Sequence, residues 1–324
     1  VLLVIITRLV FVFTGVLSPS EISVTEYVAL DFTASANGPL GVWIDHLIKS
    51  VTFNFGLSIV IASLLVILNA IQLNTLLIRN ASLSENTYIP SAIYVFLMSS
   101  SSEFYFFSPA LLASAFILIS LNYLFYHIKY RGTEENIIST GFGIGIAGLI
   151  YTPYLWLYLF VLLVYLVYSN TLRRRYFLMT WGFLLPVIVY WLIFFWQDLG
   201  ADALSSLGIK SISLETIEMD PMKLLMTLGF GLLISLVGFG SSFKNQGKTN
   251  HQILVQSSMS WIGFFGVITA VLFTDNGLVC GLLLIIPLTY FCSQLILSIS
   301  KNWLKESIFS LLLILGLLGT YMGY

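Results

Sequence analysis

The sequence predicts an all-α protein, a polytopic transmembrane helical bundle of about eleven spans forming one domain over residues 1–324. Three observations carry this expectation. Hydrophobic residues make up 58% of the chain and charged residues 9%, against roughly 25% charged in a soluble domain. The mean hydropathy is +0.96. The apolar residues also fall into runs of roughly 20, the length that carries a helix across a bilayer.

The runs place spans near 1–18, 53–75, 88–101, 107–128, 137–151, 154–170, 177–196, 222–241, 253–273, 277–298 and 305–323. The third and fifth are short, which suits helices that are tilted, cross half the membrane, or pack inside the bundle away from lipid. The first run is expected to remain as a span, because no small-residue cleavage motif follows it.

The charges set an expected orientation. Arg79, Lys129, Arg131, Arg173, Arg174, Arg175, Lys244, Lys248, Lys301 and Lys305 fall in one alternating set of loops. Only Lys49, Lys210 and Lys223 fall in the other. Basic loops stay in the cytoplasm. This predicts a bacterial inner membrane protein with its amino terminus inside and its carboxyl terminus outside. Two longer outer loops result, 19–52 and 197–221. The inner loops read as plain connectors, and Asn80-Ala81-Ser82, which matches a glycosylation pattern, falls on that side and is set aside.

Groups able to do chemistry are few. Cys280 and Cys292 share one expected span, twelve residues apart, a separation of about 18 Å along a helix and beyond disulfide reach. His46, His127 and His251 are scattered, so no metal site and no cofactor is expected. Nothing points to nucleic acid. His127, beside Lys129, reads as a membrane-interface residue. Arg8 lies inside the first span, where an ionisable group either pairs with a phosphate or carboxylate, or snorkels to the surface.

The first outer loop carries Glu21, Glu26 and Asp31, each a candidate general base if burial raises its pKa, with a solvated acidic loop as the plain alternative. After the turn Asn37-Gly38-Pro39, the residues Leu40, Trp43, Ile44, Leu47 and Ile48 recur at helical spacing, with Asp45, His46 and Lys49 on other faces. That pattern predicts an interfacial helix over 40–49, nearly parallel to the membrane, with Trp43 and Leu47 buried. Gly141, Gly143, Gly145 and Gly148 stud the fifth span and predict close helix approach. Pro186 and Pro287 interrupt the seventh and tenth.

Several of these motifs also carry a resemblance. Asn37-Gly38-Pro39-Leu40 with Trp43, Leu73-Asn74, Asn86-Thr87-Tyr88-Ile89-Pro90 with Ile93-Tyr94, and Ser108-Pro109 resemble an uncharacterised polytopic inner-membrane family of Bacteroidota. Residues 143–153 and 181–186 continue the likeness, which is strongest over 37–190. The layout, a first span followed by an outer loop with carboxylates and an interfacial helix, resembles GT-C glycosyltransferases. That resemblance implies a cavity for a polyprenyl-phosphate-linked sugar, with Glu21, Glu26 or Asp31 as catalytic base. Arg8, Asp45, His46 and Lys49 would then lie near the substrate, with Lys49 or Arg8 at its phosphate. The expected partners are membrane lipids, that lipid-linked sugar, and other envelope proteins. Two further readings stand beside this one: a non-enzymatic subunit or scaffold of a cell-envelope complex, and a lipid or solute transporter.

Overall fold

The computed structural model describes residues 38–51, 55–83, 85–99, 107–130, 133–168, 173–196, 249–272 and 282–322, together with positions 104, 198 and 240. The expected span 1–18, all of 222–241 but position 240, residues 19–37 and all of 197–221 but position 198 lie outside these. The described residues are helical, with no strand among them.

The helices follow the apolar runs. They are α1 (Pro39–Val51), α2 (Phe55–Arg79), α3 (Ile89–Ser99), α4 (Pro109–Tyr130), α5 (Glu134–Ile150), α6 (Leu157–Tyr168), α7 (Arg173–Phe195), α8 (Asn250–Leu272), α9 (Leu282–Ser298) and α10 (Asn302–Met322). A 3₁₀ turn, Thr152–Trp156, joins α5 to α6. Among the described residues, three helical stretches are long and apolar enough to cross a membrane: Leu57–Arg79, Pro109–Tyr130 and Arg174–Phe195. Ile89–Ser99, Thr152–Tyr165 and Leu282–Ser298 are apolar but shorter.

The short helices sit inside. Every residue of α3 from Pro90 to Ser99 is buried, against α2, α9 and α10. Eleven residues of helix span about 16 Å, roughly half a bilayer core. A helix walled in by protein need not match the lipid. Helix α9 is enclosed in the same way. It runs antiparallel to α8, with Pro287 resting against Gly263 and Leu284 against Gly266.

Several hydroxyls in these apolar helices are satisfied locally. The hydroxyls of Ser99, Ser120, Thr140, Ser258, Thr289 and Ser293 each donate to the carbonyl four residues earlier, at 2.6–2.9 Å. Such a bond removes the cost of an open hydroxyl where no water reaches it. One longer-range network stands apart. Asn69 Nδ2 donates to the Leu111 carbonyl at 3.2 Å and to Ser114 Oγ at 2.8 Å, and the Tyr94 hydroxyl joins the same two side chains. It ties α2, α3 and α4 together at one depth.

The glycines of α5 do what their spacing predicts. A Cβ on Gly141 would collide with the Met179 carbonyl, and one on Gly145 with the Phe183 carbonyl and the Pro186 ring. From the other side, a Cβ on Gly182 would strike the Ile138 carbonyl. Helices α5 and α7 therefore meet backbone to backbone. A Cβ on Gly143 would meet Ser120 of α4, so α5 is clasped on two faces.

Candidate functional site

Two ends of the bundle gather the described polar groups. At the first end, α1 docks on the carboxyl ends of α5 and the start of α4. The Gly38 N–H donates to the Ile150 carbonyl at 2.9 Å. A Cβ on Gly38 would overlap the Leu149 carbonyl, and one on Gly41 the Ile150 carbonyl. Only glycine permits that approach. Leu40 packs with Leu149 and Tyr190, which links α1 to α7 as well.

This docking corrects the expected burial of Trp43 and Leu47. They are 62% and 44% exposed, and they share an outward face with Val42 and His46. The protein-facing side is made by Gly38, Gly41, Leu40 and Ile44. The apolar spacing was read correctly as a helix, but the two glycines decide which side faces the bundle.

The expected site residues distribute as follows. Asp45 is half-buried and has a partner. His46 is exposed, one turn from Val42. Lys49 lies within α1, but its side chain falls outside the described residues. Arg8, Glu21, Glu26 and Asp31 also fall outside them. The structure thus brings Asp45 and His46 to the bundle end.

At the opposite end the basic groups collect. The Lys129 ammonium donates to the Arg79 carbonyl at 3.2 Å, capping α2. The Arg79 guanidinium lies 4.8 Å over the Tyr126 ring. Arg174 bonds Glu134 at 3.1 Å across the starts of α7 and α5. Sequence reasoning passed over the turn that follows α2. Gln252 Nε2 donates to the carbonyls of Ala81 and Leu83, at 3.3 and 3.2 Å. A ring N–H of His251 donates to the Asn80 carbonyl. Ala81 adopts φ 47°, a left-handed conformation that a small side chain tolerates best. The signal was present in the sequence. Thr249 and Gln252 form a capping box, Thr249 N–H to Gln252 Oε1 at 3.0 Å and Gln252 N–H to Thr249 Oγ1 at 3.3 Å. Burial, and then the nearby Lys129 charge, push the His251 pKa below its usual value, against the Asn80 bond.

His127 is buried in the last turn of α4, with its ring 5.8 Å from that of Tyr165. Among the described residues no three His, Cys, Asp or Glu side chains cluster as a metal site. A gap between α4, α5, α6 and α8, lined by Ile117, Leu121, Phe160 and Ile262 among others, measures about 10 Å³ and is apolar. It is too small and too dry for a ligand.

The model of a family of unknown function, DUF6427, matches residues 41–322. No curated protein and no solved structure matches the chain.

Proposed function

We propose that this chain, which belongs to the family of unknown function DUF6427, is an eleven-span inner-membrane protein that handles a polyprenyl-phosphate-linked sugar at the outer face. In this reading the Arg79, Lys129 and Arg174 end lies in the cytoplasm, by the retention of basic loops there. The α1 end lies at the outer leaflet. The observation that carries the reading is the docking of α1. Gly38 and Gly41 fix it on the bundle while Trp43 and Leu47 face outward, as suits a helix whose aromatic rim rests at headgroup level. The carboxylates Glu21, Glu26 and Asp31 precede it directly in the chain.

The proposed chemistry is GT-C-like. One of the three carboxylates takes the proton of an acceptor hydroxyl. The hydroxyl oxygen then bonds the anomeric carbon, and the sugar–phosphate bond breaks with its electrons leaving on the phosphate. Lys49 or Arg8 holds that phosphate as its charge develops. Asp45 and His46 border the path of the headgroup.

The test uses the full chain in liposomes with a polyprenyl-phosphate sugar and an acceptor. Glu21→Gln, Glu26→Gln and Asp31→Asn keep shape and remove the base. One of them is expected to lower turnover by roughly 10²–10⁴-fold, the usual share of general base catalysis, with yield unchanged. Wild-type activity in all three variants ends the transferase reading. The alternative is then a non-enzymatic subunit of an envelope complex.

A further inference from the structure

We propose that Arg79, Lys129 and the buried turn after α2 form a binding site for the phosphate of an anionic phospholipid. The inference rests on α2 and α4 crossing a bilayer and not on the transferase reading.

Three observations carry it. The first is charge. Arg79 and Lys129 are held together by the Lys129–Arg79 carbonyl bond, and among the described residues neither has a carboxylate partner within ion-pair distance. The second is unmet hydrogen bonding in the adjoining turn. Ser82 is 1% exposed, yet its Oγ has no partner. A buried polar atom left open in a turn marks a place where a bound polar group or ordered water belongs. The Ser82 hydroxyl would donate to a phosphate oxygen beside the two cations.

The third observation decides between a lipid and a soluble phosphate. Leu64, Leu68 and Ile71 form an exposed stripe on α2 that ends at Arg79. Ile119 and Tyr123 form another on α4 that ends at Tyr126. The two stripes converge where the guanidinium covers the Tyr126 ring. Acyl chains would lie along those stripes while the headgroup sits on the cations. Basic pockets at the ends of membrane helices take anionic headgroups in this manner.

The experiment is native mass spectrometry of the delipidated full chain in detergent. It is titrated with phosphatidylglycerol, with phosphatidylcholine, and with phosphatidylglycerol in millimolar inorganic phosphate. Wild type is expected to hold phosphatidylglycerol the more tightly, and inorganic phosphate is expected not to displace it. Arg79→Gln and Lys129→Gln are each expected to weaken that preference about fivefold, as one basic side chain at the surface predicts. Arg174→Gln is expected to change nothing, because Arg174 is already paired with Glu134. Equal binding of the two lipids by wild type overturns the proposal, as does an equal loss in Arg174→Gln. Displacement by inorganic phosphate assigns the site to a soluble anion and also overturns it. The wild-type comparison needs no variant, so it decides the matter if a substitution prevents folding. A chain that stays soluble without detergent would instead refute the bilayer premise itself.

Discussion

Helices α2 and α5 both pack within the bundle, but they are held by different means. Helix α5 meets α7 through Gly141, Gly145 and Gly182, with backbone against backbone and side chains excluded from the contact. Helix α2 meets α3 and α4 through side chains, with Asn69 reaching the Leu111 carbonyl and Ser114. The first seam is defined by what is missing and the second by one polar network. In lipid there is no hydrophobic drive between helices, so close packing and interhelical hydrogen bonds must supply the association. The comparison teaches that this chain divides those two roles between separate seams. Each should then fail in its own way.

The largest effect is expected at the glycine seam. Gly141→Val and Gly145→Val force a side chain into the Met179 or Phe183 carbonyl. Overpacking of this kind costs roughly 1–3 kcal/mol and more where backbone must move. Thermal melts in detergent should fall sharply, with loss of monodisperse protein. Gly263→Ala is the contrast. Its Cβ would sit 3.6 Å from Pro287 Cγ, an ordinary contact, and alanine favours helix by roughly 0.5–1 kcal/mol. Equal damage from both kinds of substitution would erase the distinction drawn between backbone contact and general packing.

Asn69→Leu comes next. It removes the bonds to Leu111 and Ser114 and leaves their acceptors and the Tyr94 hydroxyl to find others. Interhelical hydrogen bonds in membranes average about 0.6 kcal/mol and reach about 1.7. A melt unchanged by Asn69→Leu would reduce the α2 seam to plain packing.

The turn at the end of α2 gives a pH-dependent probe. The folded pKa of His251 lies below its usual value, so the unfolded chain binds that proton more readily. The stability it contributes is complete above about pH 6.5, the unperturbed value, and is lost as pH falls through the lower folded pKa. His251→Gln should flatten the stability profile on the acidic side. An identical acid slope in the variant would show that His251 does not govern this end of the seam.

The smallest effect is expected from Arg174→Gln, at the start of the glycine seam. The Arg174 and Glu134 side chains are 73% and 49% exposed, and such surface pairs are worth about 0–1 kcal/mol. A large loss would mean that charge, and not glycine contact, holds α5 to α7.

The sequence by itself determined the helices, since each apolar run from 53 onward that falls on described residues became one. It determined the close approach of α5, because four glycines in eight residues have few other uses in an apolar helix. It also grouped Arg79, Lys129 and Arg174 together, and the structure has each of them in the terminal turn of its helix. What only the tertiary structure decided is which face of each helix packs. A soluble amphipathic helix announces its inner face by its polar outer one. A helix that is apolar on every side carries no such mark, so the burial of His127 and the outward turn of Trp43 were not legible. Nor was the clamp on the turn after α2, because Gln252 bonds carbonyls 171 and 169 residues away. The capping box at Thr249 could be read locally, but the partner it was positioned to hold could not. Pairings of that range are fixed by the packing of the whole bundle, and no local pattern encodes them.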